Sequence, residues 1–340
     1  MAHKPLKKLF IPHLNKTFVF GCKMPKVLGP HFRLERYLGS VLPAPPTSCD
    51  YTKAALVVIA QMYLNNTLGD CVIAEDYHFV GVETGNVGDL FSATDAQVEL
   101  DYEKIGGYVP GNESTDNGCD PVTDLNYRVA NGFADGTRLL GWLTANAQNQ
   151  TIVMQAIELF ENVKICICLP DAWINPVPSA SGFVWDVAGD PDPENGHCIG
   201  AYGYTAQGVI ISTWGMLGII TWAALAKYAV LSQGGSVFVR LTPDQLAKGA
   251  TKAPNGFLWS TLVSDFDTMG GTVPVPAPPT PTPTPPTPVP PAPPSPIVSL
   301  AQAIAWADKG LGALPSVMLR AQAEQAVSKA LTANWPAQHK

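Results

Sequence analysis

Leu68-Gly69-Asp70-Cys71-Val72-Ile73-Ala74-Glu75-Asp76-Tyr77-His78 reads as a glycine turn feeding a helix whose first turn carries a cysteine. A thiol at a helix N-terminus has its thiolate stabilised by the helix dipole and by amides that no helical carbonyl uses. That is a place for a nucleophile. Far downstream, Asn195-Gly196-His197-Cys198-Ile199-Gly200-Ala201-Tyr202-Gly203-Tyr204 opens an apolar strand on a histidine, and Ile210-Ile211-Ser212-Thr213-Trp214-Gly215 follows it. Cys71 and His197 form a candidate pair for nucleophilic catalysis.

Upstream of the cysteine, Tyr51 to Tyr63 carries apolar residues at helical spacing (Ala54, Ala55, Val58, Ile59, Met62), then the polar turn Asn65-Asn66-Thr67. The cysteine helix is expected to run to about Val82, followed by a helix over Asp95 to Lys104 and a loop from Gly106 to Gly118. Pro121 to Ala130 reads as a short helix opened by an acidic, proline-bearing turn. Thr151 to Asn162 presents a helical apolar face and leads into the strand-like Val163 to Leu169. Pro170 to Gly196 reads as a long Pro, Gly and Asp loop. Strands are expected over His197 to Tyr204, Val209 to Thr213 and Gly235 to Leu241, with a helix over Trp222 to Leu231.

Residues 1–50, rich in Pro, Gly and basic residues, read as an arm wrapped over a domain that spans 51–270. From 271 to 297 the chain is almost entirely Pro, Thr, Ala and Val, a composition that adopts extended polyproline II at about 3.1 Å per residue, a spacer on the order of 70 Å. Residues 298–340 read as two Ala-rich amphipathic helices, a small helical hairpin with Leu300, Ile304, Leu311, Leu314, Val317, Leu319 and Val327 as apolar anchors. So short a module buries little by itself, so it is expected to dock on a protein partner.

The 340 residues are 46% hydrophobic, enough for a real core, and the net charge of −7 is spread without long runs. Nothing in it is a basic footprint for nucleic acid. Seven cysteines are too sparse for a disulfide scaffold, and their odd number leaves at least one thiol free or paired with another chain. No Sec-type signal is expected at the N-terminus, and the richest apolar window, Met216 to Leu231, is broken by Gly218 and Lys227 before it could span a bilayer. The expectation is a soluble protein without a membrane span, in a bacterial cytoplasm or a phage virion, or exported by a non-Sec route.

In joint order and spacing, over roughly Tyr51 to Leu241, the chain resembles the papain-like cysteine peptidase superfamily. Gly69-Asp70-Cys71 stands where that family has its Gly-x-Cys. Asn65, six residues upstream, stands where it has an oxyanion-hole glutamine. Met154 to Leu169 looks like its helix-then-strand crossing between domains. Asn195-Gly196-His197 is similar to its Asn-His segment, and Ser212-Thr213-Trp214-Gly215 to its Asn-Ser-Trp-Gly. A group of bacterial and phage-associated sequences with a Gly-Asp-Cys-x-x-Ala-x-x-x-His signature is also similar, matched here by Gly69, Asp70, Cys71, Ala74 and His78. An aspartate just before the cysteine is found in the bacteriocin-leader peptidases too.

The resemblance implies an α+β, papain-like fold in which a helical subdomain carrying the cysteine helix packs on an antiparallel sheet or partial barrel. It implies a cysteine peptidase or amidase acting on a peptide or peptide-like substrate. Cys71 would be the nucleophile, His197 its base, Ser212 a weak third member, Asn65 an oxyanion donor, and Trp214 a shield, with Gly69 and Asp70 beside the substrate. It calls for no cofactor and no metal.

Blander readings stand beside these. A cysteine in an apolar helix also serves as a small buried hydrophobe. His78, seven residues after Cys71 and on nearly the same helix face, reads as a hydrogen-bonded core histidine. Cys166, Cys168 and Cys198 read as core packing without metal-ligand spacing. Asp186, Asp190, Asp192 and Glu194 read as a solvated loop, since their spacing does not match a calcium loop. A second functional class follows from Ser212 and the tail: a catalytically relaxed papain-like structural or binding module of a phage particle or secretion-type assembly.

Overall fold

A computed structural model describes residues 5–25, 31–38, 44–245 and 257–268. The expected proline-rich linker (271–297) and helical tail (298–340) lie outside the described residues. The chain runs β1 (Lys8–Ile11), β2 (Lys16–Val19), β3 (Cys49–Asp50), α1 (Leu56–Ile59), α2 (Cys71–Gly85), α3 (Asp95–Gly106), α4 (Pro121–Asn131), β4 (Gly141–Ala145), α5 (Gln150–Phe160) and β5 (Val163–Pro170). It continues through α6 (Asp171–Ile174), β6 (Phe183–Trp185), β7 (Pro191–Tyr204), β8 (Gly208–Thr213), β9 (Met216–Thr221), α7 (Trp222–Tyr228), β10 (Ser236–Leu241) and α8 (Trp259–Thr268).

One sheet is ordered β4-β10-β5-β7-β8-β9-β6, with β3 pairing on β7, and every pair is antiparallel except β6 on β9. The fold is therefore α+β, with the cysteine helix packed on an antiparallel sheet. The sheet is an open path with no closed barrel among the described residues. β5 lies in its middle, and all eight of its residues are buried, as a strand covered on both faces requires.

Local chemistry starts the helices where the sequence suggests. Thr94 and Gln97 form a capping box on α3, Asp120 accepts from the Val122 and Thr123 amides ahead of Pro121 on α4, and Asn149 caps α5. Two expectations are corrected. The helical spacing of Tyr51 to Tyr63 yields only the four residues of α1, because Val58 packs where a Cβ on Gly81 of α2 would otherwise lie and the chain turns with positive φ at Tyr63 and Leu64. The loop expected over Pro170 to Gly196 contains α6 and β6, and β7 already begins at Pro191.

α2 is buried on every side, from Cys71 through Glu83. A helix covered all round needs its polar residues paired. Asp76 meets Lys164 of β5 at 2.7 Å, Arg128 of α4 at 3.0 Å and Arg240 of β10 at 3.5 Å. Asp124 of α4 shares both Lys164 and Arg128, and Glu83 meets Arg240 at 3.2 Å. Burial alone would raise Asp76, but the three cations hold it below the usual carboxylate range. Asp124, with the same burial and with the Asp76 charge beside it, is pushed up to about 7. This network pins the cysteine helix to the sheet from behind.

Candidate active site

Cys71 opens α2 and His197 lies on β7, the strand that carries more of α2 than any other. Both are buried and both line one small pocket, together with Asn65, Ala74, Glu75, His78, Cys198, Thr213 and Trp214. Its free space is about 10 Å³, room for a single water. Burial pushes the Cys71 thiol up. Burial also pushes His197 down to about 3. In the resting pocket the Cys71 thiol and the His197 imidazole are both neutral.

The imidazole is held on several sides. Its Nε2 lies 2.8 Å from the Thr213 hydroxyl oxygen. Trp214 stacks on its face at 4.5 Å between ring centroids, and Phe20 meets it edge-on at 6.1 Å. Nδ1 is buried and has no hydrogen-bond partner in the protein. With Nε2 protonated and donating to Thr213, Nδ1 presents a lone pair, which is what a base facing a thiol needs.

Ser212, expected to orient His197, does something else: it donates to Glu75 Oε1 at 2.9 Å, and Thr213 takes the place beside the ring. Successive strand residues face opposite ways, so one of the two faces the helix and the other faces the histidine. Glu75 also accepts from Tyr202, and its other oxygen lies 3.1 Å from His78 Nδ1. His78 Nε2 donates to the Gln61 carbonyl at 3.1 Å, so this histidine is tied at both nitrogens within the core. Nothing about Glu75 in the sequence announced that it would gather Ser212, Tyr202 and His78.

Asn65 lies in the pocket wall, but its amide nitrogen donates to the Val19 carbonyl at 3.3 Å and the Leu68 carbonyl at 3.2 Å. Both amide protons are thereby engaged, so Asn65 shapes the turn before the cysteine. Of the first-turn amides of α2, those of Ile73 and Ala74 already donate to the Asp70 carbonyl at 2.8 and 2.9 Å, which leaves the Cys71 and Val72 amides as candidate donors for an oxyanion. Asp70 is fully buried without a hydrogen bond on either carboxyl oxygen, and burial holds it well above the usual carboxylate range. Trp214, stacked on His197, is itself stacked against Phe18 at 4.2 Å.

The remaining cysteines are reduced. Cys166 Sγ lies 3.8 Å from Cys198 Sγ, within a buried cluster that includes Cys22 and Cys71. Among the described residues no group of three or more His, Cys, Asp or Glu is arranged to hold a metal ion, and no helix is long and apolar enough to cross a membrane. Asp186 accepts from Thr221 and the Val187 amide at the surface.

The N-terminal segment runs past the start of α2. β1 and β2 pair as a hairpin, after which the Cys22 amide donates to the Gly196 carbonyl at 3.0 Å and the Lys23 amide to the Cys119 carbonyl at 3.0 Å. The Cys119 amide donates to the Gly21 carbonyl at 2.8 Å. Residues 21–23 thus lie as a short strand between the loop before α4 and the start of β7, against Cys71.

No family model matches the chain, and no curated protein is similar to it. Among solved structures, xylellain, a cysteine protease from Xylella fastidiosa, is similar at 13% identity over 71% of this chain and 99% of its own, with a TM-score of 0.48. Digestive procathepsin L2 proteinase from Tenebrio molitor is similar at 14% identity over 71% of this chain and 84% of its own, with a TM-score of 0.49. The Carica candamarcensis cysteine protease CMS1MS2 is similar at 18% identity over 58% of this chain and 98% of its own, with a TM-score of 0.42.

Proposed function

We propose that the chain is a thiol-dependent hydrolase, a cysteine peptidase or amidase that cleaves an amide bond through Cys71 and His197. The observation that carries this reading is a cysteine at a helix N-terminus sharing one pocket with a histidine whose Nε2 is engaged by Thr213 and whose Nδ1 is left without a partner. The resting site is buried and neutral. Withdrawal of residues 21–23 would admit water and substrate, relieving the burial that opposes charge on both groups.

The Cys71 proton then passes to His197 Nδ1, and the thiolate adds to the substrate carbonyl carbon. The oxyanion is met by first-turn amides of α2. As the C–N bond breaks, the leaving amine takes the proton from Nδ1. Water, deprotonated by Nδ1, adds to the thioester, and the acid leaves as the thiol is restored. A catalytically relaxed module of a phage particle or secretion-type assembly is the second reading, supported by the closed pocket and by the engagement of Asn65 and Ser212 elsewhere.

Alkylation by an epoxide or chloroacetamide reagent, mapped by mass spectrometry at neutral pH, separates the two. The hydrolase reading expects an adduct at Cys71, lost in Cys71→Ala and formed about 100-fold more slowly or worse in His197→Ala. An unchanged rate in His197→Ala sinks it and leaves the module.

A further inference from the structure

The segment lying against Cys71 passes through a slot that leaves no room for a side chain at Gly21. A Cβ built on Gly21 would fall on the Gly69 carbonyl, two residues before Cys71. One on Gly118, whose φ is +70°, would fall on the Gly21 carbonyl, and one on Gly196 would fall on the Cys22 carbonyl. Glycines on three separate elements, the turn into α2, the loop before α4 and the start of β7, therefore press directly on the backbone of the threaded segment. The residue of the segment that packs against the Gly69 wall is itself glycine, Gly21.

The slot does not owe its width to its present occupant. Asp116 Oδ1 accepts from the Gly69 amide at 3.0 Å and from the Tyr102 hydroxyl at 2.7 Å, and the Tyr102 oxygen accepts from the Gly118 amide at 2.8 Å. Two buried side chains thus tie the Gly69 wall to the Gly118 wall, with no atom of residues 21–23 in the tie. Opposite edges of the slot offer the Cys119 amide and carbonyl and the Gly196 carbonyl, all now bonded to backbone groups of the segment. An extended peptide that replaced it would find the same backbone partners and the same lack of space.

We propose that this cleft selects extended peptides carrying glycine at the residue seated against Cys71. The proposal rests on the hydrolase reading for its chemistry and on the Gly69 wall for its selectivity, while Gly118 and Gly196 let the backbone of the occupant lie close. A methyl group at that residue must displace backbone atoms tied through Asp116 and Tyr102, an overpacking that costs about ten-fold or more in occupancy. The occupant in the resting state, Gly21, meets the same requirement.

The test uses two peptidyl chloromethyl ketones, Val-Phe-Gly and Val-Phe-Ala, in which the sulfur of Cys71 forms a C–S bond and chloride leaves. Because displacement of residues 21–23 taxes both probes by the same factor, the ratio of their rates on the full wild-type chain reads the slot alone. The expected result is a Cys71 adduct formed about ten-fold faster or more with the glycine probe, and faster labelling by both probes in Gly21→Ala, which ejects the segment. Equal rates, or a faster alanine probe, while iodoacetamide still alkylates Cys71 in a His197-dependent way, overturn the selectivity and leave the hydrolase reading standing. Equilibrium binding of the amide peptides acetyl-Val-Phe-Gly-Gly and acetyl-Val-Phe-Ala-Gly to full-length Cys71→Ala needs no chemistry. Tighter binding of the first supports the slot even if the thiol proves inert, and equal binding overturns it.

Discussion

At the scale of single residues, the orientation of His197 rests on Thr213. The ring is stacked on Trp214 whatever Thr213 does, but only the hydroxyl at 2.8 Å distinguishes Nε2 from Nδ1 and keeps the lone pair on the nitrogen that has no other partner. Thr213→Val preserves the shape and removes the acceptor. It is expected to lower kcat of amide hydrolysis by about 10- to 100-fold with little change in KM, since the loss is of the correct tautomer and not of substrate contact. Thr213→Ser should recover most of the rate. Ser212→Ala should leave the pH profile in place, because that hydroxyl serves Glu75. Steady-state rates of the four proteins across pH settle the assignment; a Ser212→Ala profile shifted like that of Thr213→Val would reverse it.

At the scale of elements, the cysteine helix is positioned by charge as much as by apolar packing. Lys164 of β5 reaches Asp76 of α2 and Asp124 of α4, and all three are fully buried. Lys164→Met takes from the two carboxylates one of the two cations they share, Arg128 being the other, and is expected to cost about 3–5 kcal/mol in urea unfolding, with partial recovery on adding Asp124→Asn. A cost under about 1 kcal/mol would mean that the helix is held by its apolar contacts alone. Elements with one dominant local signal were legible in the sequence: the glycine turn into α2, the capped starts of α3 and α4, and the unbroken apolar run of β5. Elements whose signal is non-local were not. β4 is five residues with buried positions alternating, too short to stand out before its neighbours β10 and α4 are in place. β9 lies in the apolar window beginning at Met216, where periodicity alone cannot separate strand from helix. The exchange of Ser212 for Thr213 beside His197 has the same origin. Gly200 pairs with Ser212, three residues from His197, so strand alternation gives the histidine's face to Thr213, and a motif aligned by order does not carry that pairing.

At the scale of the whole molecule, helix, sheet and N-terminal segment meet over the pair, so closure of the site is linked to its protonation. Beneath residues 21–23 His197 is pushed down to about 3 by burial, whereas an open site returns it toward 6.5. The open form therefore takes up a proton first as pH falls. The closed form keeps its full advantage above about 6.5 and loses it progressively toward 3, by on the order of 4–5 kcal/mol at most. Cys71 works in the other direction: its thiol is raised above 9.0 by burial, so the closed form keeps that contribution below 9.0 and loses it as pH rises further. Closure should thus be firmest between about pH 6.5 and 9 and weaken on both sides. Hydrogen-exchange protection factors of the Gly21, Cys22 and Lys23 amides, corrected for intrinsic exchange, should trace this window. Glu75 and His78 also line the pocket, and the variants assign the limbs: His197→Gln should abolish the acid limb alone, and Cys71→Ala the alkaline limb alone. Protection that falls with acid just as steeply in His197→Gln would detach closure of the site from its histidine.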